Sequence, residues 1–77
     1  MQIVVDIELD LSGLTCPMPL LKAKQALNKM ESGQVLKVLA TDPGSERDFQ
    51  VFAEQSGNNL LEFENCEGTF GYWIRKN

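Results

Sequence analysis

Between residues 3 and 11 the side chains alternate. Ile3, Val5, Ile7, Leu9 and Leu11 fall on one side, and Asp6, Glu8 and Asp10 fall on the other. A period of two with this polarity is a strand that faces a core on one side and water on the other. A sheet that keeps a wet face cannot be covered by helices on both sides. Whatever helices the chain forms therefore belong to one layer.

The rest of the chain supplies that layer and completes the sheet. After a loop at Ser12-Gly13-Leu14-Thr15, the run Cys16-Pro17-Met18-Pro19 opens a helix, because the fixed φ of proline suits a first turn whose N–H groups lack partners. Leu20, Ala23, Leu27 and Met30 recur at helical spacing as its buried stripe, and Gly33 is the expected stop. Residues 35–41 read as a strand that is apolar on both faces apart from Lys37. Asp42-Pro43 reads as the cap and first position of a second helix, with Ser45 and Asp48 as a later capping choice. That helix is expected to bury Phe49, Phe52 and Ala53, with Ser56 as a further candidate, and to end at Gly57-Asn58. Strands near 59–65 and 69–76 follow, joined by a turn at Glu67-Gly68. The order is β-α-β-α-β-β. Right-handed crossovers put both helices on one face. The expected fold class is α+β, a two-layer α/β sandwich with a mixed four-stranded sheet, and residues 1–77 form a single domain.

Composition removes several kinds of function. No histidine is present and only two cysteines, so a tetrahedral zinc site lacks ligands and a Cys–His hydrolase lacks its base. No metal or cofactor is expected. The net charge of −4 is a poor match to nucleic acid. The first residues have no basic region and carry Asp6 and Glu8 within their apolar stretch, unlike a signal peptide, and no run is long enough to span a membrane. The expected compartment is the cytoplasm, where thiols stay reduced and a conspicuous cysteine is more often chemical than structural.

Cys16 is that cysteine. With Cys16 as the helix cap, Pro17 and Pro19 delete two of the unpaired N–H groups, and the Met18 N–H is expected to point at the sulfur. The positive end of the helix dipole would stabilise a thiolate there, as such placement lowers a cysteine pKa from about 8.5 toward neutrality. Lys22, one turn on, adds to the field. The opposing reading is an inert small residue whose prolines merely set the turn. Without a C-x-x-C pair, dithiol exchange has no resolving partner. A lone nucleophile with no general base suits a carrier better than a self-sufficient catalyst.

These residues resemble a known family. Ser12-Gly13-Leu14-Thr15-Cys16-Pro17-Met18-Pro19-Leu20 is similar to the G-L-x-C-P-x-P signature of the TusA (SirA/YedF-like) sulfur carriers. The similarity continues through Ala40-Thr41-Asp42-Pro43-Gly44-Ser45, Asp48-Phe49, Gly57-Asn58 and Ile74-Arg75-Lys76, and so covers essentially the whole chain. The resemblance implies a sheet order of 1-2-4-3, as in the C-terminal domain of bacterial translation initiation factor three. It also implies that Cys16 accepts sulfur as a persulfide from a cysteine desulfurase or rhodanese-type donor. Delivery would be to a downstream acceptor protein serving tRNA thiolation, molybdenum-cofactor enzymes or sulfur oxidation. The alternative is a non-catalytic regulator with an initiation-factor-like fold that binds protein or nucleic acid.

Four residues beside Cys16 are candidates for partner docking. Met18 and Leu21 form an apolar strip outside the buried stripe, flanked by Lys22 and Gln25. Such a strip either meets partners or is covered by neighbouring loops. Cys66 is either a resolving thiol or a strand-end residue without a redox role, and it has no counterpart in the signature. Trp73 and Phe70 are read as sheet packing rather than a base-stacking platform.

Overall fold

The alternating segment forms β1 (Ile7–Leu11), followed by α1 (Met18–Asn28), β2 (Val35–Ala40), α2 (Ser45–Ser56), β3 (Asn59–Cys66) and β4 (Thr69–Arg75). This computed structural model describes residues 3–15 and 17–77. The strands lie in the order β1-β2-β4-β3, with β1 parallel to β2 and the other pairings antiparallel. Inward residues Leu36, Val38, Ala40, Phe70, Tyr72 and Ile74 meet Ala23, Leu27, Met30 and Phe49 in one core. Among the described residues the opposite sheet face carries no helix. There Glu8 pairs across the ladder with Lys37, at 3.6 Å between charged groups, and Lys37 lies over the Trp73 ring at 5.2 Å. Trp73 and Phe70 thus serve opposite faces of the sheet.

Element boundaries differ from expectation in three places. The β1 ladder begins at Ile7 rather than residue 3. The Asp6 carboxylate takes the Val35 N–H at 2.8 Å, while the Asp6 N–H goes to the Val35 carbonyl. With both backbone groups of Val35 engaged by Asp6, the pairing goes no further back. The first helix stops at Asn28, five residues before Gly33. Its last turn tightens through Lys29 N–H to Ala26 O and Met30 N–H to Leu27 O, and the Lys76 ammonium donates to the Leu27 carbonyl at 2.6 Å. Gly33 instead turns the chain into β2 at φ 91°, its N–H held by the Lys76 carbonyl.

The second helix begins at Ser45 with Gly44 as its cap, so neither Asp42 nor Ser45 caps it by side chain. The Ser45 hydroxyl is buried 2.7 Å from the Tyr72 hydroxyl, and one Asp42 carboxylate oxygen is enclosed without a hydrogen-bond partner. Phe49 and Ala53 are buried and Phe52 half-buried, but Ser56 is exposed. The buried face of α1 is set by Pro19, Ala23 and Leu27, continued by Met30 just past its end, while Leu20 only leans on the core.

Candidate functional site

Two loops meet at the carboxyl ends of the parallel strands. Residues 12–17 connect β1 to α1, and residues 41–44 connect β2 to α2. In open α/β sheets this end is where ligands and chemistry collect. The first loop is shaped by its own sequence. Asp10 accepts the Ser12 N–H at 3.1 Å, and hydrogen bonds from the Ser12 side chain and backbone hold the Asp10 carboxyl below its ordinary range. Gly13 turns the chain at φ 85°, and its N–H donates to the Thr41 hydroxyl oxygen at 2.9 Å, tying the two loops together. Leu14 N–H returns to the Leu11 carbonyl, and the Leu14 side chain rests against the core.

Position 16 lies outside the described residues, so the expectations placed on Cys16 itself stay at the level of sequence. Thr15 and Pro17 are exposed and Met18 is 39% exposed, whereas Pro19 is buried. Half-buried Leu14 and buried Pro19 therefore anchor the stretch, with Thr15, Pro17 and Met18 exposed. The expected cap geometry requires correction. Pro17, not Cys16, caps α1, and no side chain caps it. The Met18 N–H donates to the Thr15 carbonyl at 2.9 Å, and its expected relation to the Cys16 sulfur lies outside the described residues. Pro17 has no N–H to give, so the first available donor of the helix is taken by backbone.

The four docking candidates fall on one flank of α1. Leu21 is 43% exposed, and with Met18 it makes an apolar patch one turn long. Lys22 and Gln25 continue the flank down toward β1, where they border a groove together with Lys29. Lys24 is directed elsewhere, its ammonium 5.5 Å from the centre of the Phe52 ring on α2. Cys66 is exposed opposite Thr69 at the closing hairpin.

Sequence reasoning missed the residues that hold the two loops in place. The sequence marks Thr41 only as the last residue of a strand and as part of the family resemblance, with no role in holding the motif loop. Ser45 and Tyr72 are 27 residues apart and became partners only through the fold. Burial raises the Tyr72 hydroxyl above its ordinary pKa; the bond from Ser45 opposes this, and Glu46, Asp42 and Asp48 add to it. Those three carboxylates give this end of the sheet an acidic border beside the motif loop. Among the described residues no group of three or more histidine, cysteine or acidic side chains is placed to hold a metal ion. Among the described residues no helix is long and apolar enough to cross a membrane.

Comparison with known proteins bears on the same loop and helix. The family described as sulfurtransferase TusA matches residues 7–76. The sulfur carrier protein TusA of Allochromatium vinosum is 58% identical over 71 residues, which cover 92% of this chain and 93% of that protein. The sulfur carrier protein TusA of Pseudomonas syringae is 45% identical over 74 residues, covering 96% and 88% of the two chains. The crystal structure of a SirA-like protein from Desulfitobacterium hafniense superposes with a TM-score of 0.79 at 34% identity, over 90% of this chain and 95% of that one.

Proposed function

Because this chain belongs to the TusA family of sulfurtransferases, we propose that residues 1–77 act as a one-domain carrier that holds sulfur as a persulfide on Cys16. The observation that carries this reading is the C-P-M-P motif at the head of α1. It lies within the matched stretch, with exposed residues on both sides of position 16 and anchors at half-buried Leu14 and buried Pro19. A carrier must offer one sulfur atom to two different proteins in turn, and an open loop on a fixed base meets that need.

The chemistry is two successive displacements at sulfur. The Cys16 thiolate attacks the outer sulfur of a persulfide on a cysteine desulfurase or rhodanese-type donor. A new S–S bond forms on Cys16, the donor's S–S bond breaks, and the donor cysteine leaves as its thiolate. At the acceptor the roles reverse, and Cys16 is the leaving thiolate. No net oxidation occurs, so the relay requires neither cofactor nor metal. α1 begins two residues after Cys16 with its positive end toward the motif loop, and Lys22 lies on the following turn. Both favour the anionic sulfur that serves as nucleophile in the first step and leaving group in the second. Met18, Leu21, Lys22 and Gln25 supply the surface on which a donor rests. The setting is the reducing cytoplasm. Delivery to tRNA thiolation, molybdenum-cofactor enzymes or sulfur oxidation is a property of the acceptor. The acidic border of Asp42, Glu46 and Asp48 disfavours direct contact with a nucleic-acid backbone.

Intact mass after incubation with a cysteine desulfurase and cysteine tests the reading. The expected result is a gain of one sulfur atom, removed by reductant and absent in Cys16→Ser but not in Cys66→Ser. A chain that gains no sulfur, or gains it on Cys66, overturns the assignment.

A further inference from the structure

The inner face of β1 is covered unevenly by α1. Leu11 is 7% exposed and Leu9 half-buried, but Ile7 is 37% exposed. The helix leaves a groove beside the strand, floored by Ile7, Leu9 and Ala26, with Lys22 and Lys29 along its helical wall. β1 is also the edge of the sheet. It pairs with β2 alone, so among the described residues its outer backbone edge has no ladder partner. Edge strands left open in this way are templates for another strand.

Charge decides what that strand can be. On the helix-free face β1 presents Glu8 and Asp10, whose ladder partners Lys37 and Leu39 identify the side. On the helix face the groove wall is basic. A second copy pairing antiparallel about a two-fold axis would set Glu8 and Asp10 against their equivalents below, and Lys22 and Lys29 against theirs above. Like charges opposed across a strand pair are destabilising. Like charges therefore disfavour self-pairing on both faces, with Asp10 carrying the helix-free side because Glu8 also meets Lys37 of β2 at 3.6 Å.

We propose that the β1 edge receives an extended strand of a partner protein whose side chains alternate. Those on the helix-free side are basic and meet Glu8 and Asp10, and those on the helix side are apolar or acidic and meet Ile7, Leu9, Lys22 and Lys29. Backbone hydrogen bonds to the edge supply the attachment, and the alternation supplies the selectivity. This docking needs no sulfur and goes beyond the carrier reading, while extending the α1 flank that reading uses.

The test is an NMR titration of the isotope-labelled full chain with a short synthetic peptide alternating lysine with valine and glutamate. A peptide of the same composition in block order is the control. The expected result is saturable amide shifts over Ile7–Leu11 and along the Lys22–Lys29 flank, with new exchange protection in β1 and little response to the control. Reversing both groove lysines, Lys22→Glu with Lys29→Glu, is expected to weaken binding about tenfold, the sum of two exposed charge contacts. Saturation confined to other elements, an equal response to the block peptide, or dimerisation through β1 without peptide overturns the proposal. Sulfur uptake by the same wild-type sample, read by mass, keeps the two readings apart. Uptake without β1 shifts sinks the groove alone, and β1 shifts without uptake sink the carrier reading alone.

Discussion

The hydroxyl pair of Ser45 and Tyr72 shows how one buried contact organises the functional end of the molecule. Tyr72 is wholly buried, its ring stacked 4.4 Å from Phe49, and its hydroxyl fixes the first residue of α2. Through Thr41 and Gly13 the same end of the sheet holds the motif loop. Tyr72→Phe keeps the ring and strands the Ser45 hydroxyl, a loss of about 1–3 kcal/mol for an unsatisfied buried group. It also changes the response to alkali. The folded protein holds the Tyr72 proton to a higher pH than the ordinary 10.0. Above pH 10 the unfolded chain releases that proton first, so this contribution is intact below 10 and declines until the folded hydroxyl ionises. Chemical denaturation at pH 7 and through the alkaline range should show lower stability in the variant and a shallower alkaline decline. An unchanged midpoint at pH 7 would mean the pair contributes nothing. At this scale the prolines were legible as a helix start because their fixed φ suits a first turn, and Cys16 stood out as a cysteine at its head, its role remaining a proposal. Ser45 was misread as a cap because serine before a helical run has that local meaning, and only the distant Tyr72 overrides it.

Elements were legible wherever the signal was local. Strand β1 followed from its period of two, and Gly57 ends α2 in the left-handed region at φ 79°. Endings set by distant groups were not legible. Gly33 carries a helix-stop signal, yet the Lys76 ammonium on the Leu27 carbonyl closes α1 earlier. The β3–β4 hairpin gives an element-scale prediction. Its two-residue turn puts Glu67 at φ 51° and Gly68 at φ 88°, both on the side a primed turn requires. Glu67 is the one non-glycine residue at positive φ among those described. Asparagine accepts this conformation more readily than glutamate. Glu67→Asn should therefore stabilise the protein by about 0.5–1 kcal/mol, with β3 and β4 unchanged. A lower unfolding midpoint in urea would show that the Glu67 side chain has a stabilising partner that outweighs the backbone effect.

For the whole molecule, the polar face of β1 was enough to place both helices on one side, and the crossover rule supplied the hand. The positions of β3 and β4 came from family resemblance, because no pattern within either strand names its neighbour. Under the proposed function the architecture separates three tasks: the core holds the sheet ends, the motif loop would offer the sulfur, and the outer flank of α1 would meet the partner. That separation predicts opposite behaviour for two variants. Leu21 is 43% exposed and lies off the buried face of α1. Leu21→Asp should thus leave the thermal midpoint nearly unchanged while weakening binding to a cysteine desulfurase by about 1–3 kcal/mol, the loss of one central contact. Cys16→Ser should keep most of the binding and abolish transfer, because a hydroxyl cannot hold sulfane sulfur. Calorimetric titration, persulfide transfer and thermal melts on both variants read the three tasks independently. If Leu21→Asp binds normally, the docking surface lies elsewhere, and the exposed Val51 beside Arg47 on α2 is the next place to reverse. If it binds weakly yet takes up sulfur at the wild-type rate under saturating donor, recognition and chemistry are separate, as the placement of Leu21 and the motif loop on one rigid base requires.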